Sequence, residues 1–203
     1  MAISDYASLK TAVGDWIART DLTNYLDDFI KFGENRIYGE LRLRCMEASL
    51  SSVISSGVIA IPSDYIELKN AYLDASPIYV LEKKPSEWIY RNFPLRSADS
   101  IPIYIAEDAG NYIFGPFPDS GYTVKGTYYK RLTALSASNT TNWFTTNAPD
   151  ILLFACLCEA EPFIKNDQRL TVWENKYQQV KSRLELAETR SILSGSTLSV
   201  SAG

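Results

Sequence analysis

Residues 149–164 read PDILLFACLCEAEPFI, and this stretch decides the fold. It opens with Pro-Asp, a common start of a helix, and at about fifteen residues it is long for a strand. From Ile151 to Cys158 every side chain is apolar, so a helix here has no polar face for two turns. Such a helix must be covered on every side, either by the rest of the chain or by another subunit. Pro162 lacks the amide hydrogen that would bond residue 158, so we expect the helix to kink or end there.

Helical periodicity occurs at both ends of the chain. Apolar residues recur at three- and four-residue spacings over about residues 5–18, 24–44, 150–165 and 167–192, which predicts four helices. The wet face of the second helix is predicted to carry Asp27, Asp28, Lys31, Glu34 and Glu40. The last helix has a narrow apolar seam, typical of packing against one partner helix, at Leu170, Trp173, Tyr177, Val180, Leu184 and Ala187.

Between about residues 46 and 131 the period changes to two, and short runs rich in Val, Ile, Tyr and Thr alternate with turn residues. We expect hairpins that turn at Ser55-Ser56-Gly57 and at Asp108-Ala109-Gly110-Asn111, and a short helix over residues 85–93. The order of elements predicts an α+β fold, in which the N- and C-terminal helices form a bundle and a mainly antiparallel β region is inserted. We predict a single domain over residues 1–193 and a flexible tail over residues 194–203.

Composition narrows the class of protein. The chain has 203 residues, of which 46% are hydrophobic and 22% charged, as in an ordinary globular protein. A net charge of −4 argues against a protein that wraps nucleic acid tightly. The longest apolar run is far too short to span a membrane, and the opening residues do not resemble a secretory signal. The odd number of cysteines, at positions 45, 156 and 158, indicates a reducing compartment rather than a disulfide framework.

The sequence shows no constellation for catalysis. On a helix Cys156 and Cys158 lie roughly 200° apart, so they cannot share a metal ion and are better explained as buried apolar residues. Glu159 and Glu161 diverge for the same reason. The chain has no histidine, which is the usual base for a nucleophile, and no glycine-rich phosphate-binding motif. We therefore expect no catalytic residues, no metal and no cofactor, and a protein that is not an enzyme.

Three groups of residues are candidates for contacts with partners. The aromatic residues, which include Tyr122, Tyr128 and Tyr129, could form a stacking platform for a ligand or simply pack between strands. Arg36, Arg42 and Arg44 could contact DNA or the acidic surface of a partner, or form ion pairs with Glu40, which is four residues from the first and last of them. Leu193, Leu198 and Val200 lie in or beside a serine-rich tail that either orders on a partner or frays.

Several phrases along the chain resemble one protein family. They are DYASLKTAVGDWIARTDLTNYLDDFIKFGENRIYGELRLRCME near the start, GVIAIPSDYIELKNAYLD and NYIFGPFPDSGYTVKGTYYKRLTAL in the β region, and TNWFTTNAPDILLFACLCEAEPFIKNDQRLTVWENKYQQ after it. Together, from residue 4 to about 190, they are similar to the head-to-tail adaptor proteins of tailed bacteriophages, the connector proteins of podovirus-type virions.

The resemblance implies a structural virion protein. Twelve copies would form a ring on the portal protein, link the capsid to a downstream tail or nozzle protein, and continue the channel through which genomic DNA passes without tight binding. The resemblance also implies assembly in the cytoplasm of the host bacterium, no membrane partner, and a C-terminal segment whose Leu193, Leu198 and Val200 dock on the portal. A negatively charged subunit suits a channel along which DNA slides. The alternative function is a tail-associated module that recognises carbohydrate through a tyrosine-rich β surface.

Overall fold

The computed structural model describes residues 3–19, 21–164 and 167–193, and it confirms a mixed fold of helices and mainly antiparallel sheets. The chain divides into two compact units. Both ends of the chain, up to Cys45 and from Leu132 onward, form a helical unit, and Met46–Arg131 form a β unit.

The described helices of the helical unit are α1 (Tyr6–Ile17), α2 (Leu26–Glu40), α4 (Trp143–Asn147), α5 (Pro149–Ile164) and α6 (Asp167–Leu193). Short 3₁₀ turns lie at Thr23–Tyr25, before α2, and at Arg44–Met46, after it. Asp5 caps α1 in a reciprocal capping box with Ser8. The second helix ends at Glu40 rather than near residue 44, because the chain becomes extended at Leu41.

Helix α5 is the centre of the helical unit and packs against α1, α2, α4 and α6. Its side chains from Ile151 to Leu153 and from Ala155 to Cys158 are buried by these neighbours. The sequence left open whether α5 is covered by the rest of the chain or by another subunit. For these side chains the neighbouring helices of the same chain provide the cover. Pro162 stands inside α5, which ends two residues later at Ile164.

The β unit contains two four-stranded sheets. Their strands are β1 (Glu47–Val53), β2 (Val58–Ala60), β3 (Tyr65–Leu73), β4 (Tyr79–Val80), β5 (Glu82–Lys83), β6 (Tyr104–Asp108), β7 (Asn111–Gly115) and β8 (Thr123–Lys130). The strand orders are β1-β8-β3-β4 and β2-β7-β6-β5, and every pair is antiparallel except β5 with β6. Apolar side chains of both sheets share one core, and α3 (Ser86–Asn92) packs on the second sheet through Ile89.

The two predicted hairpins differ in outcome. The turn at Ala109 and Gly110 joins β6 to β7 as an antiparallel pair, which confirms the second prediction. The first predicted turn is also present, because Ser55 and Val58 form an antiparallel bridge across Ser56 and Gly57. The prediction that the strands on either side pair as a hairpin is wrong, because β1 pairs with β8 and β2 pairs with β7. The chain changes sheets at this turn, and Ile54 before it and Ile59 after it both lie in the core that the sheets share.

Candidate interaction surfaces

The two cysteines of α5 point to different neighbours. Cys156 faces α2, where a Cβ placed on Gly33 would lie 2.9 Å from the Cys156 sulfur. Cys158 faces α6 and lies within hydrogen-bonding reach of Glu174. Both side chains are buried, as the sequence predicted. Burial raises the pKa of Cys156 far above its usual value and that of Cys158 to about 12, so both are neutral thiols.

Cys45 is half-buried, and burial together with the charge of Glu188 raises its pKa to about 11. A thiol with so high a pKa is a poor nucleophile near neutral pH. Within the described ranges, no group of three or more cysteine, aspartate or glutamate side chains is arranged to hold a metal ion.

Glu34 is a buried carboxylate, and its assignment to the wet face of the second helix was wrong. Its oxygens accept hydrogen bonds from the backbone N–H of Leu135, at 3.3 and 3.2 Å, and from the side-chain amide of Asn142 at 3.3 Å. Both donors belong to the segment that returns from the β unit to α4. Burial raises the pKa of Glu34 to about 7, although the two hydrogen bonds act in the opposite direction.

The sequence contains a signal for this burial. Glu34 is four residues after Ile30 and three before Ile37, so it lies on the same stripe of the helix as these two buried residues. The charged residue type alone suggested that the Glu34 side chain faces solvent, whereas its spacing from Ile30 and Ile37 indicates that it faces the core.

Glu161 is a second buried carboxylate, near the end of α5. Its Oε1 accepts a 2.8 Å hydrogen bond from the indole N–H of Trp173 on α6, while Oε2 has no protein partner within the described residues. Glu159, two residues earlier, instead lies 3.6 Å from Arg36. The two glutamates therefore take different partners and do not bracket a common substrate.

Arg36 occupies the junction of α2, α5 and α6. Its guanidinium pairs with Glu40 at 3.1 Å, Glu159 at 3.6 Å and Glu174 at 2.7 Å, and lies 4.4 Å from the ring centre of Tyr177. Burial acts to raise the pKa of Glu174, but hydrogen bonds from Gln178 and Arg36 outweigh it and hold the pKa below its usual value. The donors of Arg36 are thus engaged inside the helical unit.

The other two candidate arginines also contact their own chain. Arg42 donates hydrogen bonds of 2.8 Å to the carbonyls of Tyr38 and Leu41, which closes the C-terminal end of α2. Arg44 does not pair with Glu40: it hydrogen-bonds the Ser191 hydroxyl and lies 3.9 Å from Glu188, both on α6. Glu40 pairs with Lys181 instead, at 2.9 Å.

The three candidate tyrosines do not share one exposed face. Tyr128 is buried between the sheets, and its hydroxyl donates to Asp64 at 3.0 Å. Tyr129, the next residue of β8, points to the opposite face of the strand and lies beneath the ammonium of Lys69. Tyr122 packs against the core and donates to Asp119 at 2.6 Å.

Two neighbouring grooves follow α6 in the helical unit. One, of about 790 Å³, is lined by polar side chains together with Leu186 and Ala187, and the other, of about 480 Å³, lies between Trp16, Phe154 and α6. Gln179 and Arg183 line both grooves. In the part of the chain that the structure describes, neither groove is lined by a carboxylate, so neither offers an acid–base pair.

Of the candidate tail contacts, Leu193 is the last described residue of α6, and only its backbone is described. Leu198 and Val200 lie outside the described residues. Among the described residues, no helix is both long enough and apolar enough to cross a membrane.

Glu34, Glu161 and Arg36 are each engaged by neighbouring groups of the helical unit. Comparison with known families identifies the class of protein: residues 4–200 match the model of the SU10 adaptor protein family. The chain belongs to this family of bacteriophage adaptor proteins, which supports a structural and non-catalytic role. No curated protein sequence matches the chain.

Proposed function

We propose that the protein is the head-to-tail adaptor of a tailed, podovirus-type phage. Copies of it form a ring, with twelve as the expected number, on the portal protein. The ring links the capsid to a downstream tail or nozzle protein and continues the channel for genomic DNA. The observation that supports this most directly is the family match, which extends over both the helical and the β unit.

Two physical features favour this role over an enzymatic or ligand-binding one. The side chains that could take part in catalysis or ligand binding, above all Cys156, Glu34 and Arg36, are engaged inside the helical unit. The tyrosines that could recognise carbohydrate are divided between the core and opposite faces of a strand. Partners would then bind through the outer surfaces of the units.

The test is to mix the purified full-length protein with the portal ring of its own phage and to measure the mass of the complex by native mass spectrometry. We expect about twelve copies on one portal ring. A portal that remains bare in the presence of excess protein would overturn the proposal.

The tail is the proposed contact with the portal. We propose that Leu193, Leu198 and Val200 act as small apolar contacts, and deletion of residues 194–203 should then weaken portal binding at least about tenfold. Substitution of the serines at 194, 196 and 199 by alanine is the matched control, because it leaves the apolar contacts in place. Full portal binding by the truncated chain would remove the tail from the interface.

A further inference from the structure

One exposed side of α6, next to its buried seam, carries a row of positive charges. Arg169, Lys176, Arg183 and Arg190 recur every seven residues and are all exposed. Seven residues are almost two helical turns, so consecutive members differ by only roughly 20° and the row extends over roughly 30 Å.

Glu174, Glu185 and Glu188 of α6 are turned away from this row. Glu174 and Glu188 face Arg36 and Arg44, and Glu185 lies roughly 160° around the helix from Arg183. Arg183 itself pairs with Asp150 at 2.6 Å but keeps a side chain that is 63% exposed. α6 therefore has one edge that is neutralised within the subunit. On its cationic side Arg183 is paired, whereas the exposed Arg169, Lys176 and Arg190 take part in no ion pair among the described residues.

Two exposed apolar side chains of α6 lie beside this row. Val172 is 50% exposed and Leu186 is 58% exposed, and they are two seven-residue intervals apart. The phosphate backbone of a nucleic acid has no apolar surface for such side chains to contact, whereas a protein interface has. We call Arg169, Val172, Lys176, Arg183, Leu186 and Arg190 the cationic face.

A second exposed surface of the same unit has the complementary chemistry. Tyr25, Phe32 and Phe163 are 44%, 49% and 51% exposed. The rings of Tyr25 and Phe163 lie 4.9 Å apart and form a cluster over the buried Phe29. Asp28 is exposed on the same side of α2, three residues after Tyr25 and four before Phe32. We call Tyr25, Asp28, Phe32 and Phe163 the aromatic patch.

We propose that the cationic face of one copy docks on the aromatic patch of the next copy in the ring. Lysine and arginine side chains bind the faces of aromatic rings and pair with an aspartate, and Val172 and Leu186 cover the ring edges. The contact joins two different surfaces of one chain, so it is heterologous and propagates from copy to copy until a ring closes. This inference rests on the proposed ring and names its subunit contact.

A charge-swap experiment on the full-length protein tests the pairing. The cationic variant is Lys176→Glu with Arg190→Glu, the patch variant is Asp28→Lys, and the swap combines all three. Lys83→Glu with Arg91→Glu, which changes two exposed charges of the β unit, is the matched control. Self-association is measured by sedimentation velocity, and the number of copies on the phage portal ring is measured by native mass spectrometry. Circular dichroism melting establishes that each variant is folded.

We expect each single-surface variant to weaken self-association at least about tenfold and to leave the portal partly occupied, while the swap recovers most of the loss. Assembly that is unchanged in the cationic variant, or a swap that recovers nothing, would overturn the pairing. The pairing would also be overturned if the cationic variant lost binding to a 40-base-pair DNA duplex but still assembled normally. A portal that binds neither wild type nor control refutes the proposed function, whereas a portal that is filled equally by every variant refutes this inference alone.

Discussion

Arg36 and Glu174 are 138 residues apart in the chain, yet Nη2 of the arginine lies 2.7 Å from each carboxylate oxygen of the glutamate. Two further contacts join the end of α2 and the turn after it to α6. Glu40 pairs with Lys181, and Arg44 lies near Glu188, so positive and negative charges alternate along both segments. Because Glu174, Lys181 and Glu188 are seven residues apart, one edge of α6 carries all three. This alternation favours a single register of α6 on the rest of the unit.

Replacement of Arg36 by methionine is expected to destabilise the fold by about 2 kcal/mol, between the values for exposed and fully buried pairs. The variant leaves Glu40, Glu159 and Glu174 close together without their shared cation and removes the contact with Tyr177. Thermal unfolding should shift downward by about 4–8 °C. Arg19→Met, which breaks the exposed pair with Asp21, is the control and should change stability by less than about 0.5 kcal/mol. Equal effects of the two variants would show that the network contributes nothing.

Gly33→Ala is expected to destabilise the protein by about 1–3 kcal/mol, because α2 and α5 approach closely at this residue. The new Cβ would lie 2.9 Å from the Cys156 sulfur and 3.0 Å from its backbone nitrogen. Gly39→Ala in the same helix is the matched control, since it has open space around it and should stabilise by up to about 1 kcal/mol. Urea unfolding of both variants measures the difference, and a neutral Gly33→Ala would disprove the close approach.

Glu34 should make stability depend on pH between about 4.5 and 7. Its pKa is about 7 in the folded protein and 4.5 ordinarily, so the folded state holds the proton more tightly. Stability is therefore highest below the unfolded pKa, falls as the pH rises toward the folded pKa, and is lower by about 3 kcal/mol above it. The chain has no histidine, whose titration would overlap this range.

The measurement compares Glu34→Gln with wild type by urea unfolding at pH 5.5 and at pH 8. The variant cannot titrate at this position. When the pH is raised from 5.5 to 8, we therefore expect its free energy of unfolding to increase by about 2 kcal/mol relative to that of wild type. Carboxylates with lowered pKa values, such as Asp27 and Glu174, lose their contribution only in more acidic solution and are common to both proteins. A difference that is the same at both pH values would show that Glu34 is ionised throughout.

The cysteines should react slowly with a thiol reagent in the native state. Cys156 and Cys158 are buried neutral thiols, and Cys45 is half-buried with a raised pKa. At pH 8 we expect Cys45 to be modified first and the other two only at the rate of unfolding. The thiols of the urea-unfolded chain are the control and should react at once. Rapid modification of two or more native thiols would contradict the packing of α5.

The sequence by itself determined the local elements and their order. The apolar run of residues 149–164 predicted a helix covered all round, the period of two predicted strands between about residues 46 and 131, and the spacing of Cys156 and Cys158 predicted that they face apart. These features depend on neighbours within one or two turns of the chain, so periodicity records them. The structure confirms them, and the family match confirms the resemblance to phage adaptors in its coarser form.

Only the tertiary structure decided which distant residues meet. It placed Glu34 in the core under Leu135 and Asn142, and it paired Arg44 with Glu188 in place of Glu40. It also sent β1 and β2 to different sheets across one tight turn. Each outcome is set by contacts between segments separated by tens to more than a hundred residues. Such contacts depend on whether a buried polar group finds a partner when the helices and sheets pack. The periodicity of the sequence reflects only near neighbours in the chain and does not predict them.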